Sequence, residues 1–383
     1  MTPFPSHGRL PAVFMRGGTS KALVFHARDL PTDRALWAPL FLSAMGSPDP
    51  HGRQLDGMGG GVTSLSKVCV IGPPTRGDAD VDYSFFQVLV REARVAENGN
   101  CGNMSAAIGP FAVDEGLVQA RGHKATVRIH NTNTRKIIRA TFPLHEGRAA
   151  IDGKLRIPGV TGSGAPVRLD FLDPGGAATG ALLPSGSACE HIDVPGVGRL
   201  EVSIVDAANL CMFVAASDLG LAGTELPQVL EDDAAALERC RAAGAAVVLS
   251  LGLAADAKAA RSRLPLIALV SPPVDAPTLS GETIEAGASD LCIRMLSSGQ
   301  PHRALPATGA VCTAVAMGVP GSIPQRLARA AVSGAPRRLS MPSGVITVDA
   351  DVGLSRGREP APHAGSGTLY RTARRLFDGH VYY

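Results

Sequence analysis

The 383-residue chain is poor in aromatic side chains, with four Tyr, one Trp and eleven Phe, which leaves few rings on which bases could stack. It also lacks a strong charge of either sign. Thirty-seven Lys and Arg stand against 34 Asp and Glu for a formal net charge of +3, mixed along the chain rather than gathered into a stripe. A nucleic-acid partner is therefore not expected, whereas a small acidic metabolite is compatible with the mild excess. No window approaches the roughly 18 consecutive apolar residues that a membrane helix needs, and the start, Met1-Thr2-Pro3-Phe4-Pro5-Ser6-His7-Gly8, has no signal-peptide core. The expectation is a cytoplasmic protein without membrane contact. Seven cysteines (Cys69, Cys101, Cys189, Cys211, Cys240, Cys292, Cys312) are scattered with no C-x-x-C pair, so neither a disulfide framework nor a zinc knuckle is indicated. The histidines show no H-E-x-x-H spacing and no G-x-S-x-G elbow occurs, so neither a metal nor a serine hydrolase is expected.

What is abundant is punctuation. Forty-four Gly and 29 Pro separate many short runs rich in Val, Ile and Leu, such as 12–14, 68–71, 127–129 and 200–205, a strand-rich pattern. Helix is expected over 33–45, 102–115, 230–244, 308–317 and 324–332. Helices do not follow each strand, so the fold class is α+β with mostly antiparallel or mixed sheets. Residues 17–30, GGTSKALVFHARDL, align with 206–219, DAANLCMFVAASDL, and each half later carries a small-residue turn opening an alanine-rich helix. This shared order predicts two pseudo-symmetric domains, 1–187 and 188–383, with the last strand free to return to the first.

Four segments could carry chemistry. In Asn98-Gly99-Asn100-Cys101-Gly102-Asn103, a thiol flanked by glycines stands at a helix start, where the dipole and free N–H groups favour a thiolate or an anionic substrate oxygen. The plainer alternative is a small core residue in a tight turn. Met15-Arg16-Gly17-Gly18-Thr19-Ser20-Lys21 sets cations and hydroxyls around a glycine turn that suits anionic oxygens, though it also reads as a simple hairpin. The glycine-rich stretch 56–67 lacks the G-x-x-x-x-G-K-[ST] spacing and runs into a strand, which argues against a nucleotide. It ends in Ser66-Lys67, and a desolvated Lys can act as a neutral base, although a solvated surface amine is the commoner case. His302 and Arg303 precede the second helix start at Thr308-Gly309 and could clamp a carboxylate.

These elements in this order resemble the PrpF family, the 2-methylaconitate cis–trans isomerases, with 4-oxalomesaconate tautomerases and 3-methylitaconate Δ-isomerases as relatives. The matching blocks are MRGGTSK (15–21), GSPDPHGRQLDGMGGGVTSLSK (46–67), NGNCGNMSAAIGPFAVDEGLV (98–118), LDFLDPGG (169–176), GTELP (223–227), PHRALPATGAVCTAVA (301–316), MPSG (341–344) and RTARRLFDGHVY (371–382). More distantly the halves resemble diaminopimelate epimerase. That likeness implies two domains, each a curled sheet around a central helix, with the active site in the cleft between them.

The resemblance implies a cofactor-independent isomerase that moves a proton within a small unsaturated polycarboxylate. Lys67 would be the base and Cys101 would assist. Arg16, Gly18, Thr19, Ser20, Ser66, Asn100, Gly102, Asn103, Met104, His302, Thr308 and Gly309 would bind substrate. Diaminopimelate-type epimerases use a second facing thiol, but the corresponding position here is Thr308 and Cys312 lies a helical turn further on, which disfavours two-thiol racemisation. An amino-acid racemase or a catalytically idle metabolite-binding relative is the alternative. No metal or cofactor is expected, and a homodimer is the default assembly.

Overall fold

The computed structural model describes residues 8–97, 101–297, 299–355 and 361–383. The chain divides into two units, Met1–Leu169 with Arg371–Tyr383, and Asp170–Tyr370. No helix among the described residues is long and apolar enough to cross a membrane.

The first unit runs β1 (Arg9–Gly17), β2 (Ser20–His26), α1 (Trp37–Met45), β3 (Lys67–Gly72), β4 (Val81–Val88), β5 (Val95–Ala96), α2 (Gly102–Asp114), β6 (Lys124–Asn131), β7 (Lys136–His145) and β8 (Arg148–Ala149). β1 and β2 pair antiparallel, β2 and β3 parallel, β3 and β4 antiparallel, β4 and β6 parallel, and β6 and β7 antiparallel. β5 adds a short antiparallel rung to β4.

β9 (Val167–Leu172) leads into the second unit: β10 (Glu190–Val194), β11 (Gly198–Asp206), β12 (Leu210–Ala215), α3 (Pro227–Asp232), α4 (Ala234–Ser250), α5 (Ala257–Arg261), β13 (Leu266–Ser271), β14 (Ala276–Pro277), β15 (Thr283–Ile284), β16 (Leu291–Ser297), β17 (Gln300–Pro301), α6 (Ala307–Gly318), α7 (Ile323–Leu327), β18 (Arg337–Met341), β19 (Gly344–Leu354) and β20 (Pro362–Arg371). Here β11 pairs antiparallel with β12, β12 parallel with β13, β13 antiparallel with β16, β16 parallel with β18, and β18 antiparallel with β19. β17 is the short rung on β16. The second unit thus repeats the first pairing for pairing, which gives the low-identity sequence repeat its structural content. β21 (Ala373–Tyr382) closes the first unit, antiparallel to β1.

Alternation along the strands explains the layers of the first unit. Val68 and Val70 of β3 join Leu23, Phe25, Leu40, Phe41 and Phe86 in a core beneath α1. Successive side chains of a strand point to opposite faces, so Lys67, Cys69 and Ile71 face the other side. α2 is buried nearly all round, with Met104, Ala106, Ala107, Ile108 and Phe111 fully enclosed, as a helix wrapped by a sheet must be. Gly109 allows close approach: a Cβ there would lie 2.8 Å from the Phe142 ring and 2.9 Å from Ala140. α6 is enclosed in the same way in the second unit, where α4 packs on a separate core of Met212, Val214, Ile267 and Leu269.

Two expected helices differ. The stretch 230–244 is split at Asp233, whose carboxylate accepts from the Ala236 N–H and caps α4, which then runs on to Ser250. The stretch 324–332 is helical only through Leu327, because beyond it the Arg329 N–H donates to the Asp290 carbonyl instead of continuing the helix.

Candidate active site

Cys101 is the N-cap of α2, in extended conformation with φ −99° and ψ 90°. Its carbonyl accepts from the N–H and the hydroxyl of Ser105. Its side chain is half-buried, unlike that of Cys69, which is wholly enclosed. Lys67, the first residue of β3, is only 8% exposed. Its ammonium nitrogen donates to Oε1 of Gln87, 2.5 Å away, and lies 5.0 Å from the centre of the Phe85 ring. Cys69 lies two residues along β3 on the same face as Lys67. Burial raises its pKa far above the ordinary thiol value, the Cys101 sulfur adds to this, and Lys67 acts in the opposite direction.

The β1–β2 turn packs directly on the start of α2. A Cβ on Gly17 would stand 2.6 Å from the Asn103 carbonyl oxygen, which only glycine avoids. Gly18, at φ +52°, turns the chain and donates its N–H to the Thr372 carbonyl. Asn103 Nδ2 donates to Thr19 Oγ1 at 3.1 Å, while Asn103 Oδ1 accepts from Nε of Arg371 at 2.9 Å. Ser20 opens β2 and is buried. Arg16 braces this turn, donating from Nη1 to the carbonyls of Gly18 and Thr372. Burial, and then the neighbouring Arg374, lowers its pKa from the usual guanidinium value. Arg16 and Arg374 are cross-strand partners that share a cavity of about 200 Å³ with Leu155, Gly164 and Thr372. A larger cavity of about 560 Å³, lined by Leu42, Ser47, Asp49, His51 and Asp56, draws on the 46–67 block but holds none of the residues expected to act as base or to bind substrate.

The structure therefore sets Gly18, Thr19 and Asn103 in contact at the first turn of α2, with Arg16 bracing the turn, Cys101 at the N-cap of α2 and Lys67 at the start of β3. Asn100 lies outside the described residues. Ser66 and Met104 do less than the sequence suggested. The Ser66 hydroxyl accepts from the buried Gln54 amide at 2.7 Å, and the Met104 side chain is entirely enclosed in the core.

In the second unit, His302 follows β17 and Thr308-Gly309 fall in the first turn of α6. Burial lowers the His302 pKa, which favours the neutral imidazole. Thr308 Oγ1 accepts from Asn209 Nδ2 in the β11–β12 turn at 3.4 Å, so here too a side chain joins the hairpin turn to the helix start. Gly309 packs against Met295. Arg303 is not free to join His302 as a clamp, since it pairs with Glu231. Leu266 begins β13 where Lys67 begins β3, so the amine occurs in one unit alone. Cys312 is enclosed, its thiol hydrogen-bonded to the Val205 carbonyl at 3.3 Å. Among the described residues no three His, Cys, Asp or Glu side chains gather as a metal ion would require.

Sequence reasoning missed Gln54, Gln87 and Arg371. Gln87 stands directly opposite Lys67 in the β3–β4 ladder, so a correct strand pairing would have found it. Arg371 opens the 371–382 block, but its partner Asn103 is 268 positions away and nothing local pointed to it. Burial pushes the Arg371 pKa down to about 10.

The chain is similar to known proteins along nearly its whole length. The chain is 40% identical over 378 residues to the 3-methylitaconate isomerase of Eubacterium barkeri, covering 98% of this chain and 97% of that protein. It is 36% identical over 394 residues to the 2-methyl-aconitate isomerase of Shewanella oneidensis, covering 99% and 98%. The crystal structure of a methylitaconate-delta-isomerase superposes with a TM-score of 0.89 at 39% identity, over 99% of this chain and 96% of that one. A hydroxyproline epimerase from Agrobacterium vitis, at 12% identity and TM-score 0.52 over 98% of this chain and 92% of its own, shares the fold alone. Residues 7–383 match the family model described as PrpF protein, and the chain belongs to that family.

Proposed function

We propose that the protein is an isomerase that shifts a proton within a small unsaturated di- or tricarboxylate, with Lys67 as the base and Cys101 assisting. The observation that carries this reading is the buried Lys67 amine, which faces the neutral amide of Gln87. A hydrogen on a carbon next to a C=C conjugated with a carboxylate is weakly acidic. The amine takes that proton, the C–H electron pair becomes the new C=C, and the original double bond moves its electrons towards the carboxylate as a dienolate. Return of a proton at the far carbon completes the shift, so no oxidant or other reactant is consumed.

Stabilisation of the dienolate falls to dipoles already in place. The N–H groups at the start of α2 are directed at an anion bound beside Cys101, and the helix dipole has the same sense. Thr19, Ser20 and Asn103 surround that helix turn with polar groups, and the buried Arg371 adds fixed positive charge behind them. Desolvated, these groups act more strongly on a carboxylate than they would in water.

The substrates named for the relatives support an acid of this class, and methylaconitate, aconitate, methylitaconate and oxalomesaconate are the candidates. Proton NMR of each acid with the enzyme in deuterated buffer tests the proposal by reporting both double-bond movement and the carbon that exchanges. Migration or cis–trans isomerisation with deuterium entering the allylic carbon is the expected result. Exchange confined to the α-carbon of an amino acid would replace this reading with a racemase. A cytoplasmic location and a homodimer belong to the same proposal, and light scattering on the purified protein tests the latter.

A further inference from the structure

We propose that Gln87 is a positioning residue for Lys67: a neutral hydrogen-bond acceptor, locked in one orientation, that fixes where the amine stands while leaving it free to give up and regain its proton. The inference rests on the reading of Lys67 as the base. Its starting point is the ladder. Lys67 and Gln87 are direct antiparallel partners, so both side chains rise from the same face of the sheet.

The amide of Gln87 has only one workable orientation. Nε2 donates to the carbonyls of Ser66 at 2.8 Å, Thr63 at 3.0 Å and Val88 at 3.3 Å, which leaves Oε1 directed at the Lys67 nitrogen. A flipped amide would set its N–H groups against the ammonium and its oxygen against three carbonyls, losing all four hydrogen bonds. The Ser66 and Thr63 carbonyls belong to the segment immediately before Lys67, so the amide fastens the strand's beginning and its side chain together. Ser66 is held from its other end by Gln54, whose Nε2 bonds the Ser66 hydroxyl and whose Oε1 accepts from the Gly61 N–H. The glycine-rich segment is thereby tied to the lysine through two glutamines.

Neutrality of the partner is the second element. The groups in contact with the Lys67 nitrogen are Gln87 and Phe85, both from β4. Among the described residues no carboxylate oxygen lies within 4.0 Å of its nitrogen, and burial keeps the Cys69 thiol protonated. A carboxylate at position 87 would hold the ammonium form, whereas an amide oxygen accepts from the charged and the neutral amine alike.

The test compares wild type with Gln87→Leu, Gln87→Asn and Gln87→Glu on whichever acid the wild type isomerises. Gln87→Leu is expected to lower kcat at least about tenfold while KM stays within about threefold, because misplacing a base harms the transition state more than substrate binding. Gln87→Asn, one methylene short, should behave like Leu. Gln87→Glu should move the acid limb of the kcat/KM profile to higher pH by about one unit or more and regain activity there. A Leu variant with wild-type kcat, or a Glu variant with an unmoved profile, overturns the inference while leaving the isomerase reading intact.

A second measurement does not depend on turnover. In protein carrying ¹³C-lysine, the Lys67 Cε resonance, assigned by its loss in Lys67→Arg, should titrate at higher pH in Gln87→Glu than in wild type. Coincident titrations overturn the inference even if no acid is isomerised, an outcome that by itself would count against the proposed function only. Far-UV circular dichroism identifies which variants fold, and Gln87→Met, which keeps the length of the side chain and removes its acceptor, takes the place of the Leu variant should that fail.

Discussion

Nε of Arg371 donates to Oδ1 of Asn103 across 2.9 Å, joining the last residue of β20 to the first turn of α2. This bond settles which way the Asn103 amide faces, since with Oδ1 held by the guanidinium, Nδ2 is turned to Thr19. A charge-assisted hydrogen bond made by an enclosed arginine is expected to contribute measurably. In a double-mutant cycle of Arg371→Met and Asn103→Ala followed by urea unfolding, the coupling energy should be about 1 kcal/mol or more. A coupling near zero would mean the bond positions nothing.

Gly17 seats the β1–β2 turn on the helix start with no room for a methyl group. Gly17→Ala would press a Cβ to 2.6 Å from the Asn103 carbonyl and 3.0 Å from the Met104 Cα, both backbone atoms that cannot swing aside. The expected cost is about 1–3 kcal/mol, read as a lower urea midpoint with an unchanged m-value. An unaltered midpoint would show that the turn can move off the helix freely.

The far end of α2 gives a pH-dependent contribution. Burial works against ionised Glu115, but hydrogen bonds from His26 and Arg375 outweigh it, and the carboxyl pKa lies below its ordinary value. The unfolded state then takes up its proton first as the pH falls. Stability from this cluster is fully present above the ordinary carboxyl range and is lost as the pH drops through the lowered folded-state value. Glu115→Gln should flatten the acid side of the stability–pH curve, measured by urea unfolding from pH 7 down to pH 3. Parallel curves for the two proteins would contradict this.

Exposure sorts the cysteines. Cys101 and Cys189 are half-buried, while Cys69, Cys211, Cys240, Cys292 and Cys312 are enclosed. Burial, and then a hydrogen bond with Glu201, raises the Cys189 pKa and suppresses its thiolate. Iodoacetamide on the native protein, read by mass spectrometry, should therefore label Cys101 first. A substrate acid should protect Cys101 and leave Cys189 unaffected. Equal protection of both, or of neither, would count against an anion bound at the start of α2.

Much of the local structure was legible in the sequence because it is governed by local rules. The glycine-flanked Cys101 does begin a helix, and the runs at 68–71 and 200–205 are strands, since dipole, turn and alternation effects act over a few residues. The duplication was visible only as a faint string match between 17–30 and 206–219, yet the strand pairings of the two units agree throughout. Pairing order survives when side chains change, which is why topology showed what identity hid.

The illegible parts depend on partners distant in the chain. Gln87 is 20 positions from Lys67 and lies in none of the matching blocks, and Arg371 opens a block but is 268 positions from Asn103. Ser66 and Met104 lie within the matching blocks, but what their side chains touch is set by packing that the blocks do not specify, and both are buried. The helix expected over 324–332 failed because Asp290, from another segment, captures the chain at Arg329.

The central claim is that the Lys67 amine removes the proton, and Lys67→Ala in deuterated buffer tests it most directly. With an acid that the wild type isomerises, the variant should retain its fold, lose at least about a thousandfold in kcat, and fail to place deuterium at the allylic carbon even after long incubation. Near-normal turnover, or unchanged deuterium entry at that carbon, would contradict the assignment and hand the base's role to another group.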